Sequence, residues 1–285
     1  MNGTLLHIAF DVFAWVAAGL ALLWLTRGMH VRFPAAATGD LTYIAALVFG
    51  AGLGAVLFGT ANLWLSHLPG IARSVEGGIA GAIVAVELYK RLAGITVRTG
   101  ARFALPLVVG VAVGRVGCFL SGLEDFTHGT ATALPWGHDF GDGILRHPVQ
   151  LYESATMAAF AVFYVWRVRR AGERSERPAR QLLKVRAHST SKGARERAGD
   201  TRPENGLVGA HRDDRFVIDN GFYLAVGCYG AQRFVWEFFK PYGTLIGPFT
   251  LFHLLSAAIV AYAVIMIATA PRPIRKDEQD DRAFA

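Results

Sequence analysis

A handful of polar side chains sit where an apolar sequence has least room for them. Arg115 lies inside the run VGRVGCFLSG, Gln150 and Glu153 open the next run in RHPVQLYES, and Arg233 and Glu237 fall within GCYGAQRFVWEFFK. A charge at membrane depth costs several kcal/mol unless something there uses it. Arginine suits phosphate, because its planar fork offers fixed donors and keeps its charge when buried. Arg115 and Arg233, at similar depth in their runs, can therefore clamp one phosphodiester headgroup. Arg233, Glu237 and Lys240 recur at helical spacing and share a face. Glu237 then either orients Arg233 or neutralises it. In RHPVQLYES, Pro148 suits a first helical turn, and Gln150 and Glu153 are neighbours on that helix. Arg146 and Tyr152 flank them as further lipid contacts, although an arginine–glutamate staple between loop and helix would explain the same pattern.

The elements that must position these residues follow from composition. The chain has 285 residues, 53% hydrophobic and 18% charged, with its apolar residues bunched in blocks. Blocks of about 20 residues match a hydrocarbon core roughly 30 Å thick. They fall near Leu5–Thr26, Thr42–Leu65, Gly77–Val97, Phe103–Ser121, Pro148–Trp166, Phe216–Phe239 and Pro248–Thr269. The expectation is an all-α polytopic membrane protein of about seven transmembrane helices, forming a single domain over residues 1–285. Basic residues gather on one set of flanks, at Arg27 and Arg32, Lys90 to Arg102, Arg167 to Arg215, and Arg272 to Lys276. The positive-inside rule then puts the N-terminus outside and the C-terminus inside.

With that orientation Glu76, Arg115, Glu153, Arg233 and Glu237 all converge on the outer leaflet, as do His7 and Asp11. A common depth favours a site facing the periplasm over scattered structural pairs. Residues 122–147 read as a periplasmic loop, 170–215 as a disordered basic cytoplasmic insertion, and 271–285 as a cytoplasmic tail. The glycines of the second to fourth spans read as helix-packing positions.

Other classes fit less well. The net charge of +7 is concentrated in the insertion and beside helix ends, which serves topology rather than nucleic acid. Met1 to Phe13 has no basic region ahead of its apolar stretch and does not read as a cleavable signal. Cys118 and Cys228 lack metal or disulfide spacing, and His128, His138, Asp139, Asp142 and His147 match no ligand pattern, so no metal and no cofactor are expected. A transporter would show broken helices in corresponding halves and charges spanning the bilayer, and neither pattern is present.

GRVGCFLSG, RHPVQLYES and GCYGAQRFVWEFFK, in that order and spacing, resemble the bacterial prolipoprotein diacylglyceryl transferase family from about the second span to the seventh. The resemblance implies a seven-helix enzyme of the inner membrane that moves the diacylglyceryl group of phosphatidylglycerol to the cysteine thiol of a preprolipoprotein, releasing glycerol phosphate. Arg115 and Arg233 then fall on the family's phospholipid-handling arginines, and Glu237 on an acid of its motif. The partners implied are phosphatidylglycerol, the preprolipoprotein signal peptide with its cysteine, and the membrane, with no nucleic acid. This chain departs from the family pattern at Glu76 for the His of a His-Gly-Gly motif, at Cys118 for Asn and at Gly52 for an arginine. The family's first-span Trp-Tyr-Gly is also missing around His7 to Asp11. Glu76 either replaces that His as a catalytic base alongside Arg233, or pairs with an arginine of the site. The alternative function is a non-catalytic or redirected paralogue that binds anionic phospholipid or a partner protein.

Overall fold

A computed structural model describes residues 3–28, 40–189 and 212–270. Helix dominates: α1 Gly3–Leu23, α2 Leu41–Leu65, α3 Val75–Leu92, α4 Ala104–Ser121, α5 Val149–Ser189, α6 Arg212–Asp219, α7 Gly221–Glu237 and α8 Leu251–Ala268. Two short hairpins decorate the connections, β1 (His138–Asp139) with β2 (Leu145–Arg146) and β3 (Thr244–Ile246) with β4 (Phe249–Thr250).

Among the described residues four segments are long and apolar enough to cross a membrane: Leu6–Arg27, Leu41–Leu65, Gly100–Glu124 and Leu251–Ala268. The protein is thus a polytopic helical membrane protein. The helices at the other expected spans hold polar residues that lower their hydropathy, such as Glu76, Glu87 and Lys90 in α3 and Arg233 and Glu237 in α7. They nevertheless show apolar side chains outward, with Val84, Val162 and Val235 exposed beside Trp15 of α1 and Phe49 of α2. That outward apolar surface is what lipid would cover.

The boundaries follow local chemistry. Ser74 caps α3 by accepting from the Gly77 amide at 3.2 Å, and Asp40 caps α2 by accepting from Thr42 at 3.0 Å. Pro148 opens α5, its carbonyl accepting from the Tyr152 amide at 3.3 Å. Thr250 caps α8 in a reciprocal box with His253. The expected sixth span is broken at Asn220 into α6 and α7, where Arg98 donates to the Asn220 side chain at 3.1 Å and Gly221 sits flat against the Tyr164 ring. The stretch read as an insertion begins as a continuation of α5 to Ser189, and its residues 190–211 lie outside the described residues, as does the 271–285 tail.

Packing is pairwise and close, α2 on α3, α1 on α4, α7 on α8 and α4 on α5. The α2–α3 seam is the tightest. A methyl group at Gly54 would collide with the Gly77 carbonyl and one at Gly81 with the Gly50 carbonyl, so the two backbones are in direct contact. The apolar core lies among α4, α5, α7 and α8, with Val108, Met157, Tyr164, Val226, Tyr229 and Ile259 at its centre.

The seam makes a test. Gly81→Val should lower stability by about 1–3 kcal/mol through overpacking. Gly52→Ala should change it little, because nothing lies within 4 Å of a methyl group there. Thermal unfolding of the detergent-solubilised protein checks both, and equal effects would remove the packing account.

Candidate functional site

The ends of α3, α4, α5, α7 and α8 that meet at one end of the bundle each contribute a polar side chain. The first turn of α3 supplies Glu76, the last turns of α4 Arg115, the first turns of α5 Glu153, and the last turns of α7 Arg233 and Glu237. Lys240 follows α7 directly, and Thr250 and Ser256 come from the start of α8. All eight are buried, and Glu76, Glu153 and Ser256 are wholly so.

Arg233 points each of its nitrogens at a different carboxylate. Nε lies 3.1 Å from Glu76 Oε2, one Nη 3.1 Å from Glu153 Oε1, and the other 2.8 Å from Glu237 Oε2. Glu153 in turn meets all three cations, with Arg115 Nε at 2.5 Å and Lys240 Nζ at 2.8 Å. The remaining oxygens are held by α8: Ser256 donates to Glu76 Oε1 at 2.6 Å and Thr250 donates to Glu237 Oε1 at 2.7 Å. The Arg233 guanidinium also lies over the Phe252 ring at 5.2 Å. Three cations and three carboxylates cancel. This balance makes the cluster tolerable at low dielectric, where each isolated ion would cost several kcal/mol.

The geometry bears on the roles left open by the sequence. Both oxygens of Glu76 are engaged, which fits an ion-pair partner of Arg233 and leaves no lone oxygen poised as a base. Glu237 both orients and neutralises Arg233. Gln150 is fully buried one turn before Glu153, and neither atom of its carboxamide has a hydrogen-bond partner; the same holds for buried Gln232 beside Arg233. Unpartnered buried amides cost about 1–3 kcal/mol each, so something polar is owed to them.

Two expected contacts lie apart from the cluster. Arg146 sits on β2 and pairs with Asp142 at 2.6 Å. Its guanidinium holds the Asp142 carboxyl below the usual range. Tyr152 accepts from Trp136 Nε1 at 2.9 Å and lies tilted against the Trp236 ring at 5.2 Å, in an aromatic wall with His147 and Phe239. The loops close over this end. The Thr130 amide donates to the Phe239 carbonyl at 2.6 Å, and the Tyr242 hydroxyl to the Phe126 carbonyl at 3.0 Å.

Lys240, Thr250 and Ser256 were not among the sequence's site residues. Lys240 had a signal, its helical spacing from Arg233 and Glu237, whereas two hydroxyls in an apolar helix have none.

Glu153→Gln should therefore be the most damaging single change at this end. It leaves three buried cations to two carboxylates, at a cost of about 3–5 kcal/mol. Arg146→Ala, at a partly exposed pair, should cost less than about 1 kcal/mol. Denaturation of the two purified variants ranks them, and a reversed order would show that Glu153 does not hold the cluster.

Helices with an outward apolar surface and a neutral, buried ionic cluster at one end define a polytopic membrane protein with a polar site at one end of its bundle. The prolipoprotein diacylglyceryl transferase family model matches residues 7–184, and the chain belongs to that family. Among curated relatives, the phosphatidylglycerol–prolipoprotein diacylglyceryl transferase of Cupriavidus necator is 34% identical over 155 residues, which cover 50% of this chain and 53% of that protein. Proteins of the same name from Geobacter sulfurreducens and Leptothrix cholodnii are each 28% identical, over 79% and 81% of this chain and 74% and 72% of theirs. In matches such as the first, the chain spans about half the length of the relative.

Proposed function

We propose that the protein holds phosphatidylglycerol at this ionic cluster and transfers its diacylglyceryl group to the cysteine thiol of a preprolipoprotein, at the outer face of a bacterial inner membrane. The observation that carries this reading is the contrast between the two arginines. Among the described residues Arg233 has three carboxylate partners, whereas Arg115 has only Glu153. Arg115 thus retains donor capacity for a phosphate, and Arg233 is a fixed positive centre behind it. Gln150 supplies unpartnered amide groups suited to headgroup hydroxyls. Arg146 and Tyr152 stand at the rim, where a headgroup would pass. An apolar groove between α7 and α8 follows α8 from Ala257 to Ile265, about 12 Å of helix, and offers a course for an acyl chain.

The acceptor thiolate attacks the glycerol carbon that carries the phosphate, the carbon–oxygen bond breaks, and glycerol phosphate leaves. Arg115 and Arg233 stabilise the charge developing on the leaving phosphate. Glu76 and Arg233 act as a pair in which Glu76 sets the position of the guanidinium. All seven long helices cross the membrane in this reading. Arg27, Lys90, Arg91, Arg98 and Arg102 lie at or beside the helix ends remote from the cluster, which supports an inside location for that face.

Purified protein in phosphatidylglycerol vesicles should add a diacylglyceryl group to a lipobox peptide, read by mass spectrometry. Arg115→Ala should slow the addition about a hundred- to a thousandfold, the scale of one lost transition-state contact of roughly 2.7–4 kcal/mol. Because Glu76 is fully engaged, a binding protein without turnover is the second reading. Lipid retained with the peptide unmodified would establish it and overturn the transferase.

Lys240 adds a pH dependence. Burial and the nearby Arg233 guanidinium push its ammonium down to about 8, against the pull of Glu153. As pH rises through about 8 the folded protein loses this charge, so affinity for phosphatidylglycerol should fall between pH 7 and 9. Between about 8 and the ordinary lysine value the unfolded chain binds the extra proton, so stability rises with pH over that window while lipid affinity falls. Lys240→Arg should flatten the binding curve in a vesicle flotation titration, and an unchanged curve would remove Lys240 from headgroup binding.

A further inference from the structure

A second constellation lies beside the ionic cluster. Cys118, one turn beyond Arg115 on α4, is buried with its Sγ 3.9 Å from an Arg115 Nη and 3.9 Å from His7 Nε2 of α1. The other ring nitrogen of His7, Nδ1, is 3.2 Å from Asp11 Oδ2 one turn along the same helix. α1 can approach this closely because Gly117 presents no side chain to Phe10. Thiol, imidazole and carboxylate thus stand in the order nucleophile, base and orienting group. With Asp11 accepting Nδ1–H, Nε2 faces the thiol as proton acceptor.

We propose that Cys118 is itself a lipid-modification site, an acceptor in cis for the diacylglyceryl group of a phosphatidylglycerol held at Arg115 when no acceptor peptide is bound. The inference rests on the transferase reading above and names a second acceptor for the same donor. A phosphate on Arg115 brings the electrophilic glycerol carbon, separated from phosphorus by one oxygen, to the side of the guanidinium where Sγ already lies. His7 Nε2 takes the thiol proton, the Sγ–carbon bond forms, and the carbon–oxygen bond to phosphate breaks. Glycerol phosphate leaves with the bonding pair, so the displacement needs no oxidant or further reactant. The product is a thioether, whose sulfur is a poor leaving group, so the event occurs once per chain and fills the position beside Arg115.

The test incubates the full-length protein with phosphatidylglycerol vesicles, without acceptor peptide, and follows intact mass and the Cys118 peptide. The expected result is one diacylglyceryl mass on Cys118, stable to hydroxylamine, with an equimolar release of glycerol phosphate. Cys118→Ser should abolish it, and His7→Gln should slow it about a hundredfold, the scale of one general base. The mapped peptide of the wild-type protein carries the test should a variant fail to fold. Cys118 left bare in the peptide-free incubation, by a protein that modifies a lipobox peptide when one is added, would overturn this inference and leave the transferase reading standing. Neither thiol modified would overturn both. An adduct removed by hydroxylamine would be an acyl thioester and would refute the displacement, as would an adduct forming equally fast in His7→Gln or on Cys228.

Discussion

Glu153 is the one carboxylate that Arg115, Arg233 and Lys240 share, and the other contacts of the cluster are arranged so that it can. Three cations crowded on one anion repel each other strongly at low dielectric. Glu76 and Glu237 offset that repulsion from the other side of Arg233. Two hydroxyls of α8 then fix those carboxylates, so four helix ends are tied by charge and a fifth by hydrogen bonds. None of these groups could be buried singly. The balance is collective, and it makes the site rigid before any ligand arrives.

Depth is the other half of the constraint, and packing supplies it. Glu76 reaches Arg233 because α3 starts level with the end of α7, with Ser74 capping its first turn. The α2–α3 seam holds α3 in that position through backbone contact at Gly54 and Gly81. Glycines that carry no chemistry thereby set where the chemistry can occur.

Much of this was readable in the sequence, because a charge inside an apolar run has few explanations. Arg115, Glu153, Arg233 and Glu237 announced themselves that way, and the structure brings them together within ion-pair distance. Arg146 looked equivalent from its place in RHPVQLYES, yet it lies before the helix begins, on a strand where Asp142 is the nearer carboxylate. Thr250 and Ser256 stayed hidden, since a hydroxyl in a transmembrane helix usually satisfies itself on its own backbone. The apolar blocks marked where helices run. The block from Phe216 to Phe239 hid the parting of α6 and α7 at Asn220, although Asp219-Asn220-Gly221 within it is a turn-type run.

A neutral cluster poses a problem for any anionic ligand, because one more negative charge must be accepted without expelling a carboxylate. The uneven sharing of partners resolves it. Arg233 is saturated by three carboxylates and can change little on binding, whereas Arg115 has one and keeps part of its donor fork uncommitted. In the proposed reading a phosphate approaching Arg115 would also gain from Lys240, whose Nζ is drawn to the same Glu153 oxygen as Arg233. The ligand would then complete the coordination of the two least satisfied cations rather than compete for the most satisfied one. Differential satisfaction of otherwise similar charges is how a structure that balances its own ions can still attract another.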